Sequence, residues 1–172
     1  MKTILSDRPL SLPTELLDAD CQLFDVSALK INRCVGCFGC WVKTPGQCVI
    51  RDDAVKVYPC LAKSGRVIYV SRICYGGYDV PMKTMLERAI PVQMAFIRLV
   101  DGETHHVQRA VVPKQALIVA YGADTKEEQE VFRRLVARNA KNMSFAQYEI
   151  RSVPDEQVED TGRKELAAWK KS

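Results

Sequence analysis

Cys34, Cys37, Cys40 and Cys48 stand in the pattern C-x2-C-x2-C-x7-C within CVGCFGCWVKTPGQCVIRDD. A short turn brings Cβ atoms at i and i+3 together, so thiolates with two-residue gaps can curl around one centre. Thiolates are the ligands that soft metals and iron–sulfur clusters demand. Four chemistries compete for this pattern: a cluster, a closed zinc site, a redox disulfide, and buried cysteines packed as small hydrophobes. Phe38 and Trp41 lie between the thiols, which suits a dry, partly apolar pocket under each of them. Packing needs alone rarely gather four cysteines so closely.

The other reactive side chains say less. Cys21, Cys60 and Cys74 read as buried thiols, although Cys74 adjoins the glycine pair of Tyr75-Gly76-Gly77-Tyr78. His105 and His106 are adjacent, so on extended backbone they point to opposite faces and cannot readily share a metal. A surface loop or a subunit contact is their expected role.

The elements that must position these groups alternate strand with helix. Residues 2–6 read as a short strand. Pro9 and Pro13 then restrict the chain to a turn or two of helix at 14–17. Residues 21–26 form a half-alternating edge strand, and the cysteine segment follows as a loop. A helix over 54–63 opens on Asp52-Asp53, and Pro59 inside it predicts a kink or two short helices. Residues 66–71, RVIYVS, are a buried central strand, with a loop at 75–78 and a helix over 79–88. Residues 91–114 have weak periodicity and read as irregular, with a short apolar piece at 94–100. Residues 115–121, QALIVAY, are a second buried strand. Thr125 with Glu128 is a capping-box pair opening a helix to about 142. Residues 147–153 alternate as an edge strand before a polar helix over 155–171. This order predicts an α/β fold, a flavodoxin-like three-layer sandwich. Its five-stranded parallel sheet would have order 2-1-3-4-5, with ligands bound beyond the carboxyl ends of the strands.

With 172 residues the chain reads as one domain, 1–172, long enough for a full core. The net charge of +4 is mild and forms no basic stripe, which argues against nucleic acid. No apolar run approaches the roughly 20 residues that span a bilayer. Seven cysteines, an odd count with no signal peptide, point to a reduced cytoplasmic setting.

The stretch from Leu29 to about Asn142 resembles the flavodoxin-like NADPH-dependent FMN reductases and the related iron–sulfur flavoproteins. The matching pieces are the cysteine segment itself, YGGYDVPMKTMLER, DGETHHVQR and RNAKN. The resemblance implies that Cys34, Cys37, Cys40 and Cys48 ligate a [4Fe–4S] cluster near FMN, with NAD(P)H as transient electron donor. It also implies that the loop Ser71–Tyr78 runs against the flavin ring. Gly76 and Gly77 would allow close approach, and Tyr75 or Tyr78 would stack. A homodimer or homotetramer is implied too.

The chain departs from the pattern at its start. The usual glycine-containing phosphate loop and long helix are replaced by ILSDRPLSLPTELL. Ser6 and Arg8 remain as candidate phosphate contacts, Ser11 or Thr14 as caps of a short helix, and Asp7 is an anion where an anion must bind. The expected proline and aromatic after Ser71 are Arg72 and Cys74, and Arg72 is a candidate replacement donor. A charged hydrogen bond is worth roughly 1.5–3 kcal/mol, so losing two weakens FMN about a hundred-fold or more. The expectation is a flavoprotein oxidoreductase passing electrons from NAD(P)H through FMN to a small acceptor. The alternative is a degenerate binding or assembly module that has lost flavin and holds zinc or no metal.

Overall fold

The computed structural model describes residues 1–171. The chain runs β1 (Lys2–Ser6), a 3-10 turn at Thr14–Leu16, β2 (Cys21–Asp25), α1 (Gly39–Val42), α2 (Ala54–Lys63) and β3 (Arg66–Cys74). It continues with β4 (Gly77–Tyr78), α3 (Val80–Glu87), β5 (Gln93–Val100), β6 (Glu103–Gln108) and β7 (Lys114–Tyr121). The last elements are α4 (Lys126–Asn142), β8 (Phe145–Ser152) and α5 (Val158–Lys171). Strands β2-β1-β3-β7-β8 lie parallel in that order, the expected flavodoxin-like sheet. The two-residue β4 adds an antiparallel sixth strand on β3.

Side chains alternate across the central strands and feed two cores. Leu5, Val67, Tyr69 and Ile118 pack against α2, α3 and α4. Ile4, Ile68, Val70, Leu117 and Val119 face Val158, Leu166 and Trp169 of α5. On that second face no helix follows β1. Leu10, Leu12, Leu16 and Leu17 cover the apolar surface instead, and the turn at Thr14–Leu16 has no side-chain cap.

Two expectations about local structure are corrected. Pro59 does not divide α2 into two short helices, because Val57, Tyr58 and Leu61 are buried and packing outweighs the one donor lost. Residues 93–108 are a β-hairpin, not an irregular stretch. Phe96, Ile97 and Leu99 are exposed on β5, so the alternation that marks a strand is blurred there. The capping of α4 is as expected, with the Glu128 N–H donating to Thr125 Oγ1 at 3.1 Å.

Beyond the sheet, β3 turns back through Tyr75 and Gly76 into β4. Both residues have positive φ, 51° and 74°, as a two-residue hairpin turn requires. A Cβ on Gly76 would lie 2.6 Å from Val131 Cγ1, so this turn is pressed against α4.

Candidate functional site

Cys40 sits in the single helical turn of α1, while Cys34 and Cys37 lie in the loop before it and Cys48 after the turn that follows. Left-handed backbone at Gly36 and Phe38 coils this segment. A side chain at Gly39 would collide with Val49, at 2.7 Å, which lets the two limbs close. Trp41 anchors the loop: its Nε1–H donates to the Gln93 carbonyl at 3.0 Å and its ring packs on His106, 4.8 Å between centroids. The Cys48 N–H donates to the Tyr58 hydroxyl at 3.2 Å.

All four thiols line one cavity of about 120 Å³, shared with Trp41, Ile50, Ile90, Pro91 and Arg88. Cys34 and Cys37 are exposed at its rim and Cys40 is buried. Burial pushes the Cys40 thiol up, and its neighbours Cys48, Cys34 and Cys37 add to the effect. None of the seven cysteines is in a disulfide. Among the described residues, no three His, Cys, Asp or Glu side chains gather closely enough to hold one metal ion. A zinc ion bound at about 2.3 Å needs sulfurs roughly 3.8 Å apart. A four-iron cluster spreads its thiolates over separate irons and suits a wider ring.

Arg88 is the residue that the sequence did not announce. It follows α3, is 1% exposed, and donates to Cys48 Sγ at 3.4 Å. It also grips Asp52 with two bonds, 2.6 and 3.0 Å, and donates to the carbonyls of Asn32 and Ile50. Its Nε–H is buried without a partner, and the guanidinium, already paired with Asp52, donates to one of the thiols on the cavity wall. A charged donor on that sulfur suits a thiolate ligand. The only sequence signal was the end of YGGYDVPMKTMLER, which says nothing of burial.

Asp52 makes a testable acid sensor. Burial alone would raise its carboxyl, but hydrogen bonds from Arg88, Asn32 and Ala54 outweigh it and hold the group at about 2, against an ordinary 3.8. The stability this contributes, about 2 kcal/mol, is full above pH ~4 and is lost as pH falls toward 2. Urea unfolding of wild type should weaken across that window, and Asp52→Asn should be flatter there. Parallel loss in both proteins would assign the acid sensitivity to another group.

The candidate flavin residues occupy the carboxyl ends of β1 and β3, but they are not all available. Ser6 is buried and its hydroxyl donates to the Arg8 carbonyl at 2.6 Å, so it is spent within its own loop. Arg8 pairs with Asp155 at 2.5 Å and lies over the Tyr121 ring. The Ser71 hydroxyl and the Arg72 N–H both donate to Asp7, and the Arg72 side chain lies across Gly122. Tyr75 is 93% exposed at the hairpin tip, beside Gly76 and Gly77. Tyr78 is corrected from a stacking residue to a core one: it is buried, edge-on to Phe132 at 5.0 Å. His105 is likewise no surface group. It is buried between Asn142 and Glu103, at 2.9 and 3.0 Å.

No known family description matches the chain. An iron–sulfur flavoprotein of Archaeoglobus fulgidus is 38% identical over 66 residues, which is 38% of this chain and 29% of that protein. An iron–sulfur flavoprotein of Methanocaldococcus jannaschii is 29% identical over 118 residues, 69% of this chain and 54% of that one. The matches thus span at most about half of those relatives' lengths. Among solved structures, an FMN-dependent NADH-azoreductase of Bacillus anthracis in complex with FMN superposes with TM-score 0.59 at 9% identity, over 98% of this chain and 96% of that one. An NAD(P)H:quinone oxidoreductase of Methanothermobacter marburgensis gives TM-score 0.53 at 9% identity, over 97% and 95%. Among the described residues no helix is long and apolar enough to cross a membrane. In sequence the chain is similar to iron–sulfur flavoproteins, and its fold is flavodoxin-like.

Proposed function

We propose that this protein is a flavoprotein oxidoreductase resembling NAD(P)H-dependent FMN reductases, with Cys34, Cys37, Cys40 and Cys48 holding a [4Fe–4S] cluster. The observation that carries this reading is the single cavity lined by four free thiols and the buried, partly unsatisfied Arg88. When bound, such a cluster supplies one-electron transfer. The chain's own residues do the rest. Tyr58 fixes the backbone at Cys48, and Arg88 donates to its sulfur. Trp41, Ile50 and Ile90 line the cavity's apolar part and exclude water. The exposed Cys34 and Cys37 face the side from which a redox partner would approach.

FMN enters through the relatives, with NAD(P)H as donor and a small molecule as acceptor. Tyr75, Gly76 and Gly77 in the turn after β3 would face its ring, with Arg72 near the end of β3 beside them. Its phosphate does not fit the chain's own loop after β1, which has no glycine cradle and carries the Asp7 carboxylate. Exposed Ile97 and Leu99, on one face of β5, support a homodimer or homotetramer, since apolar side chains grouped on a surface mark contact sites. A cytoplasmic setting accords with seven unpaired thiols.

The same Asp7 favours a second reading, a flavodoxin-like electron-transfer or assembly module that has lost flavin. An absorbance spectrum with iron and zinc analysis, on protein purified without oxygen, separates the two. Two resolved flavin bands beside a broad iron–sulfur absorbance are expected. Iron without flavin leaves the second reading, and a colourless protein that takes up neither FMN nor iron overturns the first.

A further inference from the structure

Asp7 is nine-tenths buried at the point where β1, β3 and β7 end. Three donors converge on its carboxylate from two strands. Oδ2 accepts from the Arg72 N–H at 2.7 Å and from the Ser71 hydroxyl at 2.9 Å, and Oδ1 accepts from the Tyr121 hydroxyl at 2.8 Å. The Asp7 N–H is itself bound to the Val70 carbonyl, which fixes the direction of the side chain. A backbone N–H and two hydroxyls aimed at one spot are what an anion seat consists of. The spot lies at the sheet's order reversal, where doubly wound folds receive ligands.

We propose that Asp7 is a built-in anion that fills this seat, so that the strand ends select ring ligands without a phosphate over phosphate-bearing ones. The physical reason is direct. A phosphate brought here would find the converging donors already spent and would face a fixed like charge. Arg8, next in the chain, is engaged by Asp155 and cannot compensate without breaking that pair. A neutral ring meets neither obstacle. Beside Tyr121 and Gly122 a cleft of about 400 Å³ opens, within the range of small-ligand sites. The inference narrows the flavin of the proposed function and is independent of the thiol cavity. Iron content therefore stays the same whether it stands or falls.

The test compares wild type with Asp7→Ser, using riboflavin and FMN as fluorescence-quench probes and inorganic phosphate as a melting probe against chloride of equal ionic strength. Wild type should bind FMN no more tightly than riboflavin and melt alike in both salts. Asp7→Ser should melt lower in chloride, regain stability in phosphate, and shift the affinity ratio toward FMN by tenfold or more. If wild type takes up neither flavin, the melting comparison decides by itself. Wild type preferring FMN by tenfold, or a folded Asp7→Ser showing neither shift, overturns the proposal. Should Asp7→Ser fail to fold in both salts, Asp7→Asn, which keeps the size and removes the charge, is judged by the same ratio and the same melts.

Discussion

Arg88→Met is expected to cost the folded protein about 3–5 kcal/mol, measured as a fall in the urea midpoint at neutral pH. The guanidinium is almost fully buried, and so is the carboxylate it grips. Removing the cation alone strands the Asp52 charge away from water, together with the Asn32 and Ile50 carbonyls that it satisfied. The loss should exceed that of an ordinary surface pair several-fold, because exposed ion pairs contribute only about 0–1 kcal/mol. Arg163→Met, which breaks an exposed pair with Glu159, serves as the comparison. The double variant Arg88→Met with Asp52→Leu should recover much of the loss, since no buried charge is left without a partner. A single-variant cost below about 1 kcal/mol would mean that the pair is hydrated.

Cys37→Ala should remove essentially all iron from protein purified without oxygen, a fall from about four atoms per chain to near none under the cluster reading. Cys37 is exposed at the rim of its cavity, so the substitution leaves the core intact and the melting of metal-free protein unchanged. Cys21→Ala is the matched control, because Cys21 packs in the α5-facing core, away from the cavity. It should retain iron in full. Full iron content in Cys37→Ala would falsify the ligand set.

Much of the architecture was legible because it depends on patterns within short windows. The apolar runs at 66–71 and 115–121 became β3 and β7, buried as central strands must be. Helix α4 began where the Thr125–Glu128 pair put it. The hairpin at 93–108 escaped notice because one strand exposes Phe96, Ile97 and Leu99, and no period-2 signal survives that. Tyr78 was misassigned for a related reason. An aromatic beside two glycines looks like a ligand platform, but the tight turn at Tyr75 and Gly76 directs the next residues back into the core.

The sequence by itself determined the alternation of strands and helices, the compact group of four cysteines, and the want of a glycine phosphate loop after β1. Each is a matter of residue type and spacing along the chain. Only the tertiary structure decided what those residues meet. It joined Arg88 to Asp52 and Cys48, 36 and 40 residues apart in sequence. It also turned Asp7 onto donors from Ser71, Arg72 and Tyr121, up to 114 residues away. The reason is physical. A buried charge is tolerated only where partners converge on it, and in both places they are brought from distant segments by the parallel sheet and its crossovers.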